Sequence, residues 1–327
     1  VDRSFSRMGI ITRHVFMDSN GIRFHLTDTG HGFPIILLHG FPELWYSWRK
    51  QIDALAPAGF RLIAPDLRGY GGTDAPEDVD SYVTSNLCED LLGICDNLGL
   101  DKAAIVGHEL GGSLAWQFAL RHPERTERVV SLNAPHLAPT SEPPSIALRD
   151  RFGLTDSTFY LRYAQTPGIA EAELDADIRT TFQKMMRPVR YAEDWWKFVT
   201  VGGDGSSLLG KIGAGESLLS KVDTDTYVRA FKRGGMRGAF NWLRAIDKSW
   251  EEIRTLPSLE IDLPAMLIMA SRDKLNPPEL AEDTRQLVKN LRIEHLDCGY
   301  WTQQEKPVEV TKLLVDFLGD LRSSSAE

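Results

Sequence analysis

The feature that most constrains the fold is an apolar run that ends in a turn with glycine on both sides of a glutamate. Residues 105–112 have the sequence Ile-Val-Gly-His-Glu-Leu-Gly-Gly. This is the pattern Gly-x-nucleophile-x-Gly, whose small residues let the central side chain, Glu109, occupy a strained turn between a strand and a helix. The N–H of Leu110 would then face the reacting atom as one oxyanion donor. A second donor would come from Phe41, in the loop after the third predicted strand.

Apolar runs and helical patterns alternate on both sides of this turn. Residues 11–16 and 22–27 alternate in polarity around Ser19-Asn20-Gly21 and predict a hairpin. Between two later runs, apolar residues recur at helical spacing from Leu87 to Leu98. This alternation predicts an α/β fold with a mostly parallel sheet flanked by helices. The continuous apolar runs, which predict strands buried on both faces, are residues 34–38, 61–64, 103–106, 129–132 and 265–269.

The pattern changes after His136. Residues 137–247 contain prolines, glycines and helical segments such as 170–186, but no clear buried strand. Strand character returns at 265–269, and the chain then predicts a helix at 279–288, a strand at 292–296 and a last helix at 308–321. We therefore expect a core of residues 1–137 and 248–327, with a helical cap of residues 138–247 inserted after the sixth strand.

Composition excludes several classes of function. The 327 residues include 46 acidic and 37 basic side chains, and the net charge of −9 argues against nucleic-acid binding. The three cysteines are odd in number and form no CxxC pair, which disfavours a metal ribbon or a disulfide framework and fits the cytoplasm. No run is long enough to span a membrane, and residues 1–4 lack an apolar signal core. We expect no metal and no cofactor.

Several further segments carry a family resemblance. Together with the elbow, which we define as residues 107–112, they resemble the epoxide hydrolase branch of the α/β-hydrolase superfamily over essentially the whole chain. The resemblance implies an α/β-hydrolase fold with a helical cap, an elbow aspartate that attacks the epoxide, a histidine base held by an aspartate, and two cap tyrosines that hydrogen-bond the epoxide oxygen. The other matching segments are residues 39–42 with Trp45, 66–71, 131–135, 167–174 and 298–303.

Three positions depart from this family pattern. Glu109 stands where the family has its aspartate, Tyr300 where the base histidine belongs, and Leu243 where the second cap tyrosine belongs. Two roles are carried over unchanged. Asp273 matches the orienting acid, and Tyr160 matches the first cap tyrosine.

The chemistry of these departures favours a different mechanism. A phenol, with an ordinary pKa of about 10, cannot accept a proton from water near neutral pH, and negative charge nearby raises that pKa further. Tyr300 is therefore better interpreted as a packing residue hydrogen-bonded to Asp273 than as a proton acceptor. Glutamate reaches one methylene further than aspartate, so Glu109 is expected to act as a general base rather than as a nucleophile.

The sequence leaves three functions open. The first is an enzyme that opens an epoxide without forming a covalent ester. In the favoured version a hydroxyl of the substrate attacks the epoxide and closes a cyclic ether. The second is an epoxide hydrolase with an unusual triad that makes a diol, and the third is a silent ligand-binding homologue. All three place a small apolar molecule in a pocket between cap and core. Besides the catalytic candidates and the two oxyanion donors, the side chains expected to contact this molecule are Trp45, His136, Trp195 and Leu243.

Overall fold

The computed structural model describes residues 11–200 and 207–325. Its strands form one eight-stranded sheet in the order β1-β2-β4-β3-β5-β6-β7-β8. The expected start of the chain at residues 1–4 lies outside the described residues. The strands are β1 Thr12–Ser19, β2 Ile22–Gly30, β3 Phe33–Leu38, β4 Phe60–Pro65, β5 Ala103–His108, β6 Thr126–Leu132, β7 Ala265–Ala270 and β8 Leu291–Leu296.

The sheet is parallel from β4 to β8. Strands β1 and β2 form an antiparallel hairpin, with Ser19 opposite Ile22, and β2 joins the rest of the sheet antiparallel to β4. Every other pairing is parallel. The predicted hairpin and the predicted mostly parallel sheet are therefore confirmed. The carboxyl ends of the central strands meet at one edge, and the elbow lies there, directly after β5.

Helices cover both faces of the sheet. The α-helices are α1 Arg49–Leu55, α2 Thr84–Asn97, α3 Leu110–Arg121, α4 Pro144–Arg151, α5 Tyr160–Tyr163, α6 Ile169–Ala176, α7 Ile178–Met185, α8 Ala192–Val199, α9 Lys221–Gly234, α10 Arg237–Arg244, α11 Ile246–Arg254, α12 Ala281–Arg285, α13 Thr302–Glu305 and α14 Pro307–Leu318. None of these helices in the described ranges is both long and apolar enough to cross a bilayer.

The insertion between β6 and β7 is helical over its described residues. The helix predicted at 170–186 is divided into α6 and α7 at Asp177, which has φ −144° and whose side chain accepts from Thr180 N. The helix predicted at 279–288 shortens to α12, and the last helix ends at Leu318 rather than at Leu321. Helix ends are less constrained by the apolar pattern than helix centres, because caps decide where the backbone leaves the helix.

Alternate residues of the central strands pack on opposite faces. In β3, Ile35 and Leu37 belong to the apolar core on one face, whereas Ile36 and Leu38 belong to the core on the other. All four side chains are fully buried. A strand of this kind must be apolar at every position, which is why the central strands are continuous apolar runs.

The cap contacts the core where two glycines meet. Gly238 in α10 approaches Gly69 so closely that a methyl group on Gly238 would lie 2.2 Å from the Gly69 carbonyl oxygen. Beside this contact, the indole N–H of Trp242 donates to the carbonyl oxygen of Arg68 at 2.8 Å. Both contacts fix α10, and with it Leu243, above the edge of the sheet.

We expect Gly238→Ala to destabilise the protein by about 1–3 kcal/mol, because the added methyl group forces α10 away from the core backbone. Thermal unfolding measures this. The matched control is Gly234→Ala at the end of α9, where a methyl group meets nothing within 4 Å and should be neutral or slightly stabilising. An equal effect of both substitutions would contradict the close approach.

Candidate active site

Glu109 lies at the sharp turn between β5 and α3. Its backbone has φ +51° and ψ −113°, a region that residues with a side chain seldom adopt. Its N–H donates to Leu132 O at 3.0 Å, and its carbonyl accepts from Ser113 N at 2.9 Å. These bonds on both sides of the residue hold a conformation that costs on the order of 1–3 kcal/mol. The strained turn predicted for the elbow is present.

The Glu109 carboxylate folds back onto backbone donors. Phe41 N donates to its Oε2 at 2.9 Å, and the N–H of Leu110 also donates to the carboxylate. Gly40 leaves room for this arrangement, because a methyl group there would lie 2.9 Å from the same oxygen. In this structure both N–H groups donate to the enzyme's own carboxylate, which needs donors because it is buried. That Phe41 and Leu110 also bind an oxygen of the substrate stays a prediction.

Burial makes Glu109 a weaker acid than a glutamate in water. The side chain is only 8% exposed. Burial raises its pKa from 4.5 to about 7, although the N–H groups of Phe41 and Leu110 and the hydroxyl of Tyr300 work in the opposite direction. A carboxylate with a pKa near 7 is matched to accepting and returning a proton at neutral pH.

Tyr300 lies beside the Glu109 carboxylate. Its hydroxyl donates to the carbonyl oxygen of Phe41 at 3.2 Å and is also a hydrogen-bond partner of the Glu109 carboxylate. Burial and then the charge of Glu109 raise the pKa of Tyr300 well above 10, so the phenol is not a base at neutral pH. The charge of Asp273 acts in the same direction, and a hydrogen bond between Tyr300 and Asp273 stays a prediction.

Asp273 follows β7 and is fully enclosed. One carboxylate oxygen accepts from Leu275 N at 2.9 Å and from Asn276 N at 3.2 Å, and the other accepts from the Asn133 side chain at 3.0 Å. Burial raises its pKa despite these donors. Asp273 therefore holds the turn after β7, and its hydrogen-bond partners in the described part of the chain are these backbone and amide N–H groups, not an imidazole.

A buried ion pair beneath the elbow was not anticipated. His108 Nδ1 lies 2.7 Å from Glu43 Oε2, and His108 Nε2 lies 2.7 Å from the carbonyl oxygen of Tyr300. Since both partners are acceptors, both ring nitrogens donate and the imidazole is charged. Burial by itself lowers the pKa of His108, but the Glu43 carboxylate more than compensates and raises it. Gln303 and Gln304 donate to the same carboxylate.

A cavity of about 390 Å³ opens in front of the elbow. Glu109, Leu110, His136, Tyr160 and Leu243 all line it. In the described part of the chain the Tyr160 hydroxyl has no protein hydrogen-bond partner, and burial followed by the charge of Glu109 raises its pKa. Tyr160 therefore presents a protonated hydroxyl to the cavity.

The remaining predicted residues lie elsewhere or at the cavity wall. His136 donates from Nε2 to Leu259 O at 2.8 Å and stacks on Trp116, and burial lowers its pKa, so it is a neutral wall residue. Trp45 is not among the residues that line the cavity; its ring packs against His14 and Tyr46 instead.

The last of the predicted site residues is Trp195. Trp195 belongs to α8, but its side chain lies outside the described part of the structure. Sequence reasoning missed Gln117, which lines the cavity two turns beyond Glu109. The signal was available in its spacing, since Glu109, Ser113 and Gln117 follow one another at intervals of four residues, which is the spacing of one helix face.

Across residues 11–200 and 207–325, no three His, Cys, Asp or Glu side chains converge as metal ligands would.

Known proteins are similar to this chain in both fold and sequence. The profile of the α/β hydrolase fold family matches residues 34–307. Epoxide hydrolase A of Mycobacterium tuberculosis is 37% identical over 96% of this chain and 99% of its own. Bifunctional epoxide hydrolase 2 of Rattus norvegicus is 36% identical over 91% of this chain but 54% of its own, so the chain spans about half of that relative. The crystal structure of epoxide hydrolase A from Mycobacterium thermoresistibile superposes with a TM-score of 0.84, at 34% identity over 94% of this chain and 98% of that chain.

The chain therefore belongs to the α/β-hydrolase family. Within it, the chain is an enzyme of the epoxide hydrolase-like branch. The predicted resemblance and the predicted fold class are confirmed.

We expect Glu109→Gln to stabilise the folded protein at high pH. Because the pKa of Glu109 is raised from 4.5 to about 7, the folded state binds more protons than the unfolded state between these values, and stability falls as pH rises through them. Removing the charge should recover up to about 3 kcal/mol above pH 8 and nothing below pH 4.5.

Urea unfolding across this pH range measures the difference. The exposed Glu279→Gln variant is the matched control and should follow the parent protein at every pH. A Glu109→Gln variant whose stability also runs parallel to the parent would contradict the raised pKa.

Proposed function

We propose that this enzyme opens an epoxide by non-covalent acid–base catalysis, with a hydroxyl group of the same substrate as the nucleophile. The product is then a cyclic ether and an isomer of the substrate. The observation that carries the proposal is the pairing across one cavity of Glu109, whose pKa is raised to about 7, with the Tyr160 hydroxyl, which has no hydrogen-bond partner among residues 11–200 and 207–325.

In the proposed reaction each group moves one proton. Glu109 takes the proton of the substrate hydroxyl as its oxygen forms a bond to an epoxide carbon. The C–O bond at that carbon breaks, and Tyr160 gives its proton to the departing oxygen. The proton held by Glu109 then returns to Tyr160 through the product or solvent. Leu243 offers no second donor, so Tyr160 alone stabilises the oxygen, which costs roughly 3 kcal/mol relative to two donors.

The state of the histidines supports the internal nucleophile. The imidazole of His39 donates to Gly40 O and accepts from Leu67 N, and that of His108 donates from both nitrogens. Neither can activate water. A hydroxyl already held beside the epoxide has a high effective molarity, about 10⁵ M in well-oriented systems, and needs no strong base. The mostly apolar wall of the cavity would also keep water from competing.

The second candidate is a diol-forming epoxide hydrolase, which the names of the relatives favour. In that reaction Glu109 would either deprotonate water or form an ester with the substrate. A silent ligand-binding protein is the third reading, and it requires only the cavity. In each case the ligand is a small, largely apolar molecule.

We further propose that the protein works in the cytoplasm. Cys88, Cys95 and Cys298 are all buried and free of disulfides. Free thiols are the usual state of cysteines in a reducing compartment.

We expect the product formed in ¹⁸O-water from an epoxide that carries an internal hydroxyl to contain no solvent oxygen. A cyclic ether keeps the mass of the substrate, whereas a diol gains one labelled oxygen over many turnovers. Mass spectrometry of the product after complete conversion makes the measurement. One ¹⁸O per molecule would overturn the cyclase in favour of the diol, and no conversion at all would favour the binding protein.

Two controls isolate Glu109. Glu109→Gln keeps the shape of the side chain but cannot accept a proton, so turnover should fall at least 10²-fold, the lower range for loss of a positioned base. Acid quench during turnover of the parent enzyme should give unmodified protein by intact mass. An adduct on the peptide that contains Glu109 would identify the residue as a nucleophile.

We expect the three departures to act as a set. The triple variant Glu109→Asp, Tyr300→His and Leu243→Tyr should hydrolyse simple epoxides, because it restores a short nucleophile, a base beside Asp273 and a second donor. Glu109→Asp alone is the matched control and should not, since Tyr300 still cannot activate water. Strong non-additivity is expected for residues that act together, and diol formation by the single variant at the rate of the triple variant would contradict it.

A further inference from the structure

The cavity extends along α3 away from the elbow. Glu109 is the residue immediately before this helix, Ser113 and Gln117 lie on its first and second turns, and all three line the cavity. From Glu109 to Gln117 the backbone advances by roughly 12 Å. The α-carbons of Glu109 and Gln117 are therefore held at a fixed separation by the turn and the helix that follows it.

The Gln117 amide lacks the hydrogen bonds that a buried amide normally makes. The side chain is only 8% exposed, and its carbonyl oxygen has no partner in the described part of the chain. A buried polar group without a partner costs about 1–3 kcal/mol, so a bound ligand that supplies the partner is a direct explanation. Because a half-turn of the amide exchanges its oxygen and nitrogen, Gln117 can accept or donate.

Two hydroxyl side chains line the same cavity, on helices that meet α3 one turn beyond Gln117. Thr84 and Ser249 both line it, and the Thr84 N–H donates to Ser249 Oγ at 3.1 Å, which leaves the serine proton for another acceptor. Just beyond them Ser85 donates to Glu252 at 2.6 Å, and Arg121 lies 3.7 Å from the same carboxylate. The Glu252 carboxylate therefore has Arg121 as its counter-ion, and the three cavity residues Thr84, Gln117 and Ser249 are neutral.

We propose that Thr84, Gln117 and Ser249 form a distal subsite that binds an uncharged hydroxyl or carbonyl group of the substrate. Its place along the cavity is set by Gln117, whose α-carbon lies roughly 12 Å from that of Glu109. The substrate class is thus an elongated apolar epoxide with a neutral polar group at its far end. The inference rests on the proposed function only in taking Glu109 as the reactive end.

The test uses unreactive probes, so that it does not depend on turnover. An extended chain spans the required distance in roughly ten bonds, as between the two oxygens of 1,9-nonanediol; 1-nonanol has the same chain with one hydroxyl. Binding of each is followed by the fluorescence of the cavity residues Trp116, Trp242 and Trp250. We expect the diol to bind five- to tenfold more tightly than the alcohol, as one added neutral hydrogen bond allows.

Gln117→Leu should remove this preference while binding of 1-nonanol changes less than twofold. Gln183→Leu, an exposed position on α7, is the matched control and should keep the preference. A comparison on the unaltered enzyme needs no variant: 1,4-butanediol cannot span the distance and should bind no better than 1-butanol.

Equal binding of nonanediol and nonanol by the unaltered enzyme would overturn the subsite, as would a preference that survives Gln117→Leu. These outcomes are separable from failure of the proposed reaction. An enzyme that prefers the diol but turns over no epoxide keeps the subsite and loses the reaction, and an enzyme that forms a cyclic ether without the preference does the reverse.

Discussion

The geometry of the active site depends on the buried ion pair between His108 and Glu43. Through it the loop after β3, the elbow after β5 and the segment before α13 are joined, because His108 donates to Glu43 and to the Tyr300 carbonyl while Gln303 and Gln304 donate to Glu43. Breaking such a pair by removing one partner typically costs 3–5 kcal/mol. The three segments carry Phe41, Glu109 and Tyr300, which are the groups that must meet for the carboxylate to be held.

Two of the three departures from the family pattern meet at the elbow. Glu109 reaches back to the N–H groups of Phe41 and Leu110, and the hydroxyl of Tyr300 joins it there. Position 300 thus carries a protonated phenol, which cannot take a proton from water at neutral pH. Under the proposed reaction, a carboxylate with a pKa near 7 and a phenol that is not a base suit a substrate that brings its own nucleophile.

The fold and the elbow could be predicted from the sequence because they are encoded locally. A strand buried on both faces must be apolar throughout, and a turn with glycine on both sides of residue 109 admits few alternatives. The partners of the polar atoms could not be predicted. The direction of the Tyr300 hydroxyl, the engagement of the Phe41 and Leu110 N–H groups and the pairing of His108 with Glu43 depend on segments far apart in the chain. The spacing of Gln117 from Glu109 was visible in the sequence, but the missing hydrogen-bond partner of its amide was not, because that depends on the surrounding segments.

The helix α3 and the cap contribute to the site in different ways. Glu109 and Gln117 belong to one backbone, whereas Tyr160 comes from the insertion that rests on the core through Gly69 and Gly238. Movement of the insertion would therefore change the distance between Tyr160 and Glu109 but not the distance between Glu109 and Gln117. If the proposed subsite binds the far end of the substrate, the core helix sets the length of the molecule and the insertion sets the position of the acid, so each property can evolve while the other is preserved.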